Sequence, residues 1–312
     1  MPAKHGARGV DGQTLAGSGR LVRYANFVKL PHTLFALPFA LVGVTLGTFR
    51  VDVTVATVGW VVLAFTAARF AAMGFNRIAD REFDARNPRT AMREIPSGTM
   101  SVREAWAAVL VAAALFEFAA WMINPLCFAL SPLALVWVFF YSYTKRFTSF
   151  AHLVLGAGLA IAPVGGYLAV TGFWSDPWWV LVALAGAVMT WTAGFDVLYA
   201  LQDIDIDRAE HLHSIPARFG AEKSLDIARA LHVATVVLLA TVGFATGLGR
   251  YYFLGVMVAA FLLIYEHYLA DQNDMAKVDK AFFRVNMALS ALFFAFVLAE
   301  RLLPFKPLWT SW

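Results

Sequence analysis

NRIADREFDARNPRTAMREIPSG, Asn76 to Gly98, is a run of charge inside an otherwise oily chain. Asn76, Asp80 and Asp84 recur every fourth residue, so on a helix of about 3.6 residues per turn they fall along one slowly drifting stripe. Carboxylate oxygens one turn apart, interleaved with Arg77, Arg81, Arg86, Arg89 and Arg93, suit Mg²⁺ and a phosphate held together, because Mg²⁺ prefers oxygen ligands and takes several from its substrate. The cation reverses the sign of the local field, and arginines then reach the outer phosphate oxygens as forked donors. A solvated loop of salt bridges is the plainer reading of the same residues.

A second charged stretch, DVLYALQDIDID from Asp196 to Asp207, weighs against that plainer reading. At about 100° per residue, Asp196, Tyr199, Asp203 and Asp207 share one helical face while Asp205 points away. Each acidic stretch follows an apolar run and precedes a basic, proline-containing segment, Arg89 to Pro96 and Pro216 to Lys223, which predicts two similar halves. Like charges held in one cleft repel, so two acidic faces call for cations between them.

The surrounding sequence belongs in a bilayer. Of the 312 residues, 60% are hydrophobic, against about 45–50% in soluble domains. The apolar residues are grouped in runs of about twenty, the length of a membrane-crossing helix, rather than alternating as in a barrel strand. The fold class expected is all-α integral membrane, with spans over about Leu34–Phe49, Val55–Phe75, Val102–Ile123, Leu126–Tyr143, His152–Val170, Trp178 into the second acidic stretch, Ile227–Ala245, Tyr252–Leu269 and Phe282–Leu302. That makes nine crossings. Residues 1–19, polar and glycine-rich, read as a disordered cytoplasmic tail, and 20–312 as a single transmembrane domain.

Lys and Arg fix the expected orientation. With the N-terminus inside, the inner loops hold the arginines of the first acidic stretch together with Lys145, Arg146, Arg208, Arg218 and Lys223, while the outer loops hold only Arg50, Arg250, Arg301 and Lys306. Both acidic stretches then open on the cytoplasmic side of an inner membrane. The same bias explains the basic residues without nucleic acid. Cys127 is the only cysteine, which leaves no disulfide and no thiolate cluster, and His211 and His213 do not share a helical face. Neither a P-loop nor a dinucleotide fingerprint is present.

A lipid with a diphosphate head fits two cation-binding faces with an apolar interior behind them. Departure of an allylic diphosphate leaves a delocalised carbocation, and neutralising the departing charge lowers that barrier. A transporter is the reading from a different class, since charges within spans also mark ion pathways; transporter sites lie near the midplane, however, whereas these carboxylates fall at span ends.

NRIADREFD and NPRTAMREIPSG, together with DVLYALQDIDID, resemble the two aspartate-rich signatures of the UbiA superfamily of membrane prenyltransferases. KLPHTLFALPFALVG (Lys29 to Gly43), YSYTKRFT (Tyr141 to Thr148) and HSIPARFG (His213 to Gly220) are similar to the 4-hydroxybenzoate polyprenyltransferase branch, relatives placed in menaquinone synthesis included. The resemblance implies nine helices around a central cavity and Mg²⁺-dependent transfer of a polyprenyl group from polyprenyl diphosphate to a small aromatic acid, within the lipid bilayer, for quinone synthesis; a dihydroxynaphthoate acceptor is the alternative. It implies that Asp80, Asp84, Asp203 and Asp207, with Asn76 and Asp196, hold Mg²⁺, and that Arg89, Arg93, Lys145 and Arg146 clamp the diphosphate. Many members carry Asp where this chain has Arg77, which removes one oxygen ligand from the first motif. Arg69, seven residues before Asn76 inside a span, is expected to anchor the acidic acceptor or a phosphate oxygen, or else to pair with a buried carboxylate. Tyr199 and Gln202 are expected to orient ligands or to pack between helices. Glu117 and Glu266, both within spans, are open to pairing with basic groups.

Overall fold

Capping chemistry sets where the helices start. A computed structural model describes residues 19–270 and 275–303, without the side chains of 30–35 and 275–282, so the tail expected over 1–19 lies outside the described residues except for Gly19. α1 (Arg20–Phe27) leads into α2 (Leu30–Gly47), α3 (Val55–Ala79), α4 (Arg81–Arg86), α5 (Val102–Ile123), α6 (Pro125–Thr144), α7 (Ala151–Thr171) and α8 (Trp179–Ala200). A short 3₁₀ turn, Leu201–Asp203, then leads to α9 (Ile204–Ala209), α10 (Ile215–Thr246), α11 (Arg250–Ala270) and α12 (Met275–Leu302). Thr54, Ser101, Asn124 and Ser214 each accept a backbone N–H from the first turn of the helix that follows them, as N-cap side chains do. Gly172 and Gly247 close α7 and α10 in the left-handed conformation.

Every described element is helical, and nine of the helices are long. Eight have the length and apolar composition of a membrane span, and the ninth, α2, contributes the described apolar stretch Ala36–Gly47. The chain is therefore an integral, multi-pass membrane protein. Large apolar side chains such as Leu110, Val136, Phe261 and Ile264 face outward, as they do where lipid replaces water. Two expected boundaries move. α10 begins at Ile215 rather than near Ile227, with a break at Gly220 (φ 80°) inside it, and α12 begins at Met275 rather than Phe282.

The two expected halves are present, and in one register. Displacing α4 by 123 residues, the separation of Asp80 from Asp203 (203 less 80), lands on the bounds of α9; the same shift carries the end of α5 (Ile123) onto the end of α10 (Thr246). α2, α3, α5 and α6 thus correspond to α7, α8, α10 and α11, and α12 closes the ring against α11 and α2. The halves meet along α2 and α7, where small residues let the backbones touch. A Cβ on Gly43 would sit 1.9 Å from the Pro163 carbonyl oxygen, and one on Gly166 would sit 2.2 Å from that of Ala40. Close approach of this kind drives helix pairing where lipid removes the hydrophobic incentive.

Candidate active site

At the end of the bundle where α3 and α8 stop, the chain performs the same manoeuvre twice. α3 ends at Asp80 (φ −96°, ψ 6°), and the six-residue α4 follows; the turn after α8 ends at Asp203 (φ −105°, ψ 6°), and the six-residue α9 follows. Here the structure corrects the expectation of two continuous helical stripes. The carboxylates still face one another, because each break comes at an aspartate and the next aspartate, Asp84 or Asp207, stands one turn into the short helix. Asp84, Asp203 and Asp207 are buried, and Asp205 is exposed.

Between the two breaks lies a cavity of about 320 Å³. The six residues expected to hold Mg²⁺ and the four expected to clamp the diphosphate, together with Arg69 and Tyr199, line it, whereas Gln202, Arg77, Arg81 and Arg86 do not. Four cations of the first half reach the carboxylates, and two of them, Arg89 and Lys145, cross to those of the second. Arg89 forks onto Asp203, Nη2 to Oδ2 at 2.6 Å and Nε to Oδ1 at 3.2 Å, while its Nη1 donates to the Tyr199 hydroxyl at 2.8 Å. Arg93 donates to Asp84 Oδ1 at 2.6 Å. Lys145 stands 3.6 Å from Asp207, and Arg146 3.6 Å from Asp80. Asn76 donates to the other oxygen of Asp80 at 2.9 Å. Arg146 also lies over the rings of Tyr143 and Phe83, contacts that fix a guanidinium without consuming its donors.

Electrostatics follow from this crowding. Burial, and then the neighbouring Asp84 carboxylate, push Asp80 up to about 6, with Arg146, Lys145 and Arg93 working against the rise. Burial alone would lower Lys145, but the carboxylates of Asp207, Asp196, Asp203 and Asp80 outweigh it and hold the ammonium above its ordinary value.

Several site features escaped the sequence reading. His152 is fully buried at the start of α7; its Nε2 accepts the Ile215 N–H at 3.3 Å, which leaves Nδ1 to donate to Asp196 at 2.6 Å. One imidazole thereby ties α7, α8 and α10 together behind Asp196. Lys29 lines the cavity from a left-handed backbone position (φ 47°), rare for a residue with a Cβ. Its only sequence signal is the motif KLPH, in which proline starts the next helix. Arg77 turns out of the cavity, donating to the Phe27 carbonyl. Glu117 and Glu266 pair with no Lys or Arg among the described residues: Glu117 accepts from Ser131, and Glu266 from Asn286 at 2.6 Å. No carboxylate among the described residues pairs with Arg69, and its Nε is buried without a hydrogen-bond partner.

The wall holds further buried polar atoms with no hydrogen-bond partner: Ser142 Oγ, Thr192 Oγ1, Asp84 Oδ2 and Asp207 Oδ2. Groups of this kind are costly unless something completes them. The donor set is oxygen throughout, as Mg²⁺ requires, and two of those oxygens lack a hydrogen-bond donor. Among the described residues no three acidic, histidine or cysteine side chains converge closely enough to hold an ion by themselves.

Below the carboxylates the cavity adjoins a second, larger one of about 660 Å³ with an apolar lining, and Arg69, Tyr141, Leu155 and Leu159 border both. A polar mouth of interlocked acids and bases over an apolar chamber, inside a helical membrane bundle, defines a membrane protein built for a substrate with a charged head and a hydrocarbon body. The UbiA prenyltransferase family model matches residues 36–296. The 4-hydroxybenzoate octaprenyltransferase of Azotobacter vinelandii is 33% identical over 241 residues, which cover 76% of this chain and 80% of that protein. Among solved structures, the apo form of a UbiA homologue from Aeropyrum pernix K1 is 34% identical with a TM-score of 0.79, covering 86% of this chain and 98% of its own. A UbiA homologue from Archaeoglobus fulgidus bound to GPP and Mg²⁺ shares the fold at 22% identity with a TM-score of 0.68, covering 89% of this chain and 99% of its own. The chain belongs to the UbiA prenyltransferase family.

Proposed function

We propose that the protein transfers a polyprenyl group from polyprenyl diphosphate to an aromatic acid of the 4-hydroxybenzoate type, with Mg²⁺, for quinone synthesis, and that residues 20–312 form the single domain that does so. The observation that carries this reading is the ring of four aspartates interlocked with four cations at the mouth of a cavity that adjoins an apolar chamber through Arg69 and Tyr141. The 4-hydroxybenzoate octaprenyltransferases at about one-third identity support the acceptor class. The charge bias of the loops supports an inner membrane with the site facing the cytoplasm.

When bound, Mg²⁺ offsets the charge that grows on the departing diphosphate. Asp80, Asp84, Asp203 and Asp207, with Asn76 and Asp196 beside them, are the residues from which its one or two carboxylate ligands would come. Arg89, Arg93, Lys145 and Arg146, each paired with one of these carboxylates, reach the diphosphate oxygens, and the fork of Arg89 suits two of them at once. The allylic C–O bond breaks and its electron pair leaves with the diphosphate. The prenyl chain lies in the apolar chamber, which keeps water from the cation. Arg69 holds the acceptor's carboxylate. The ring carbon ortho to the phenol forms the new bond to the allylic carbon, and its proton passes to the released diphosphate or to an aspartate. Little basicity is needed, because loss of that proton restores aromaticity.

The test incubates purified protein with Mg²⁺, a polyprenyl diphosphate and a panel of hydroxybenzoates and dihydroxynaphthoates, with products identified by mass. A prenylated hydroxybenzoate supports the reading, and a prenylated dihydroxynaphthoate alone would replace the acceptor.

A further inference from the structure

Most threonines in these spans satisfy the hydroxyl within their own helix. Thr45, Thr171, Thr190, Thr235, Thr241 and Thr246 each return the hydroxyl to a carbonyl four residues back in the same helix. Thr192, fully buried on α8, has no hydrogen-bond partner for its hydroxyl and lines the cavity. An unmet hydroxyl in a membrane interior carries a desolvation penalty that a back-bond would relieve.

The repeat gives this residue its counterpart. The offset that relates Asp80 to Asp203 and Asp84 to Asp207 relates Arg69 to Thr192 (192 less 69 is again 123), and likewise Asn76 to Tyr199. Arg69 and Thr192 therefore stand on corresponding helices, each eleven residues before the aspartate at which its half breaks, about 16 Å below it at 1.5 Å per residue. Both line the cavity and both carry a buried polar atom without a hydrogen-bond partner. The residue before Thr192 is tied to α12 and α11 by a chain of buried hydrogen bonds. The Trp191 indole donates to Asn286 Oδ1 at 2.8 Å, and Asn286 in turn donates to the fully buried Glu266 at 2.6 Å.

We infer that Thr192 is a specificity-determining residue that hydrogen-bonds the ring oxygen of the aromatic acceptor across the cavity from Arg69. The acceptor would then lie crosswise, carboxylate toward α3 and hydroxyl toward α8, with the carbon beside that hydroxyl turned toward the departing diphosphate. This rests on the proposed function.

The test compares wild type, Thr192→Val and Thr192→Ser in detergent, with 4-hydroxybenzoate, a prenyl diphosphate and Mg²⁺. Loss of one neutral hydrogen bond predicts an acceptor KM about ten-fold higher in Thr192→Val, an unchanged prenyl diphosphate KM, and a Thr192→Ser value within about two-fold of wild type. Without acceptor, Thr192→Val should melt at or above wild type, because an unmet hydroxyl has been removed. An unchanged acceptor KM in folded Thr192→Val overturns the inference, as does an equal shift in Thr192→Ser or a shift in the diphosphate KM instead. Wild-type protein that prenylates no aromatic acid overturns the proposed function, and this inference with it.

Discussion

In the proposed reaction Asp80 and Asp203 are the residues on which the chemistry turns, since each marks the break that folds a short acidic helix over the cavity. Asp80→Ala or Asp203→Ala should lower prenyl transfer about 100-fold or more in protein that still extracts and melts normally. Arg89→Lys keeps the charge but loses the fork now shared by Asp203 and Tyr199; it should raise the KM for prenyl diphosphate at least about ten-fold, the loss of a charge-assisted bond. Asp80, pushed up to about 6, is neutral below that pH and charged above it, so Mg²⁺ with diphosphate should bind more weakly as pH falls through about 6. Titration calorimetry with Mg²⁺ and inorganic pyrophosphate at about pH 5.5 and about pH 7.5, on wild type and Asp80→Asn, checks that change: the wild-type loss at the lower pH should exceed the variant's. At this scale the convergence of the aspartates with Arg89 and Arg93 on one cavity was legible in the sequence, because their spacing is local. It was silent on His152, whose two partners lie 44 and 63 residues away, and on which cation meets which acid.

Helices read well by length and hydropathy, and poorly where two are joined without a loop. The breaks at Asp80 and Asp203 could not be seen, because a periodicity argument continues a helix until glycine or proline stops it, and neither stands there. Gly220, inside α10, gave a cue that a late start near Ile227 had already discarded. The contact between α2 and α7 depends on glycine: Gly43→Ala forces a methyl against the Pro163 carbonyl and should cost about 1–3 kcal/mol as overpacking does. A lower melting temperature in detergent, with the acceptor KM unchanged in the protein that remains folded, is the expected result.

Beyond the short α1, the molecule is a doubled five-helix pattern with one closing helix, and the halves are not chemically equal. Both supply aspartates, but Arg89 and Arg93 come from the first half alone, while the second has Leu212 and Pro216 at the same offset. The first half therefore lends Arg89 and Lys145 to the acids of the second, while Arg93 and Arg146 stay with its own. The ring was foreseen in outline from paired acidic stretches; its exact register, and the apolar chamber beside it, needed coordinates because neither is encoded locally. The central claim is that this ring grips a diphosphate by way of Mg²⁺ so that the attached chain can be passed to an aromatic acid. Its most direct test measures product mass from purified protein given polyprenyl diphosphate and 4-hydroxybenzoate, with Mg²⁺ and with EDTA. The account predicts a prenylated hydroxybenzoate that forms with Mg²⁺, vanishes with EDTA and is lost in Asp203→Ala; turnover that persists in EDTA or in that variant would contradict it.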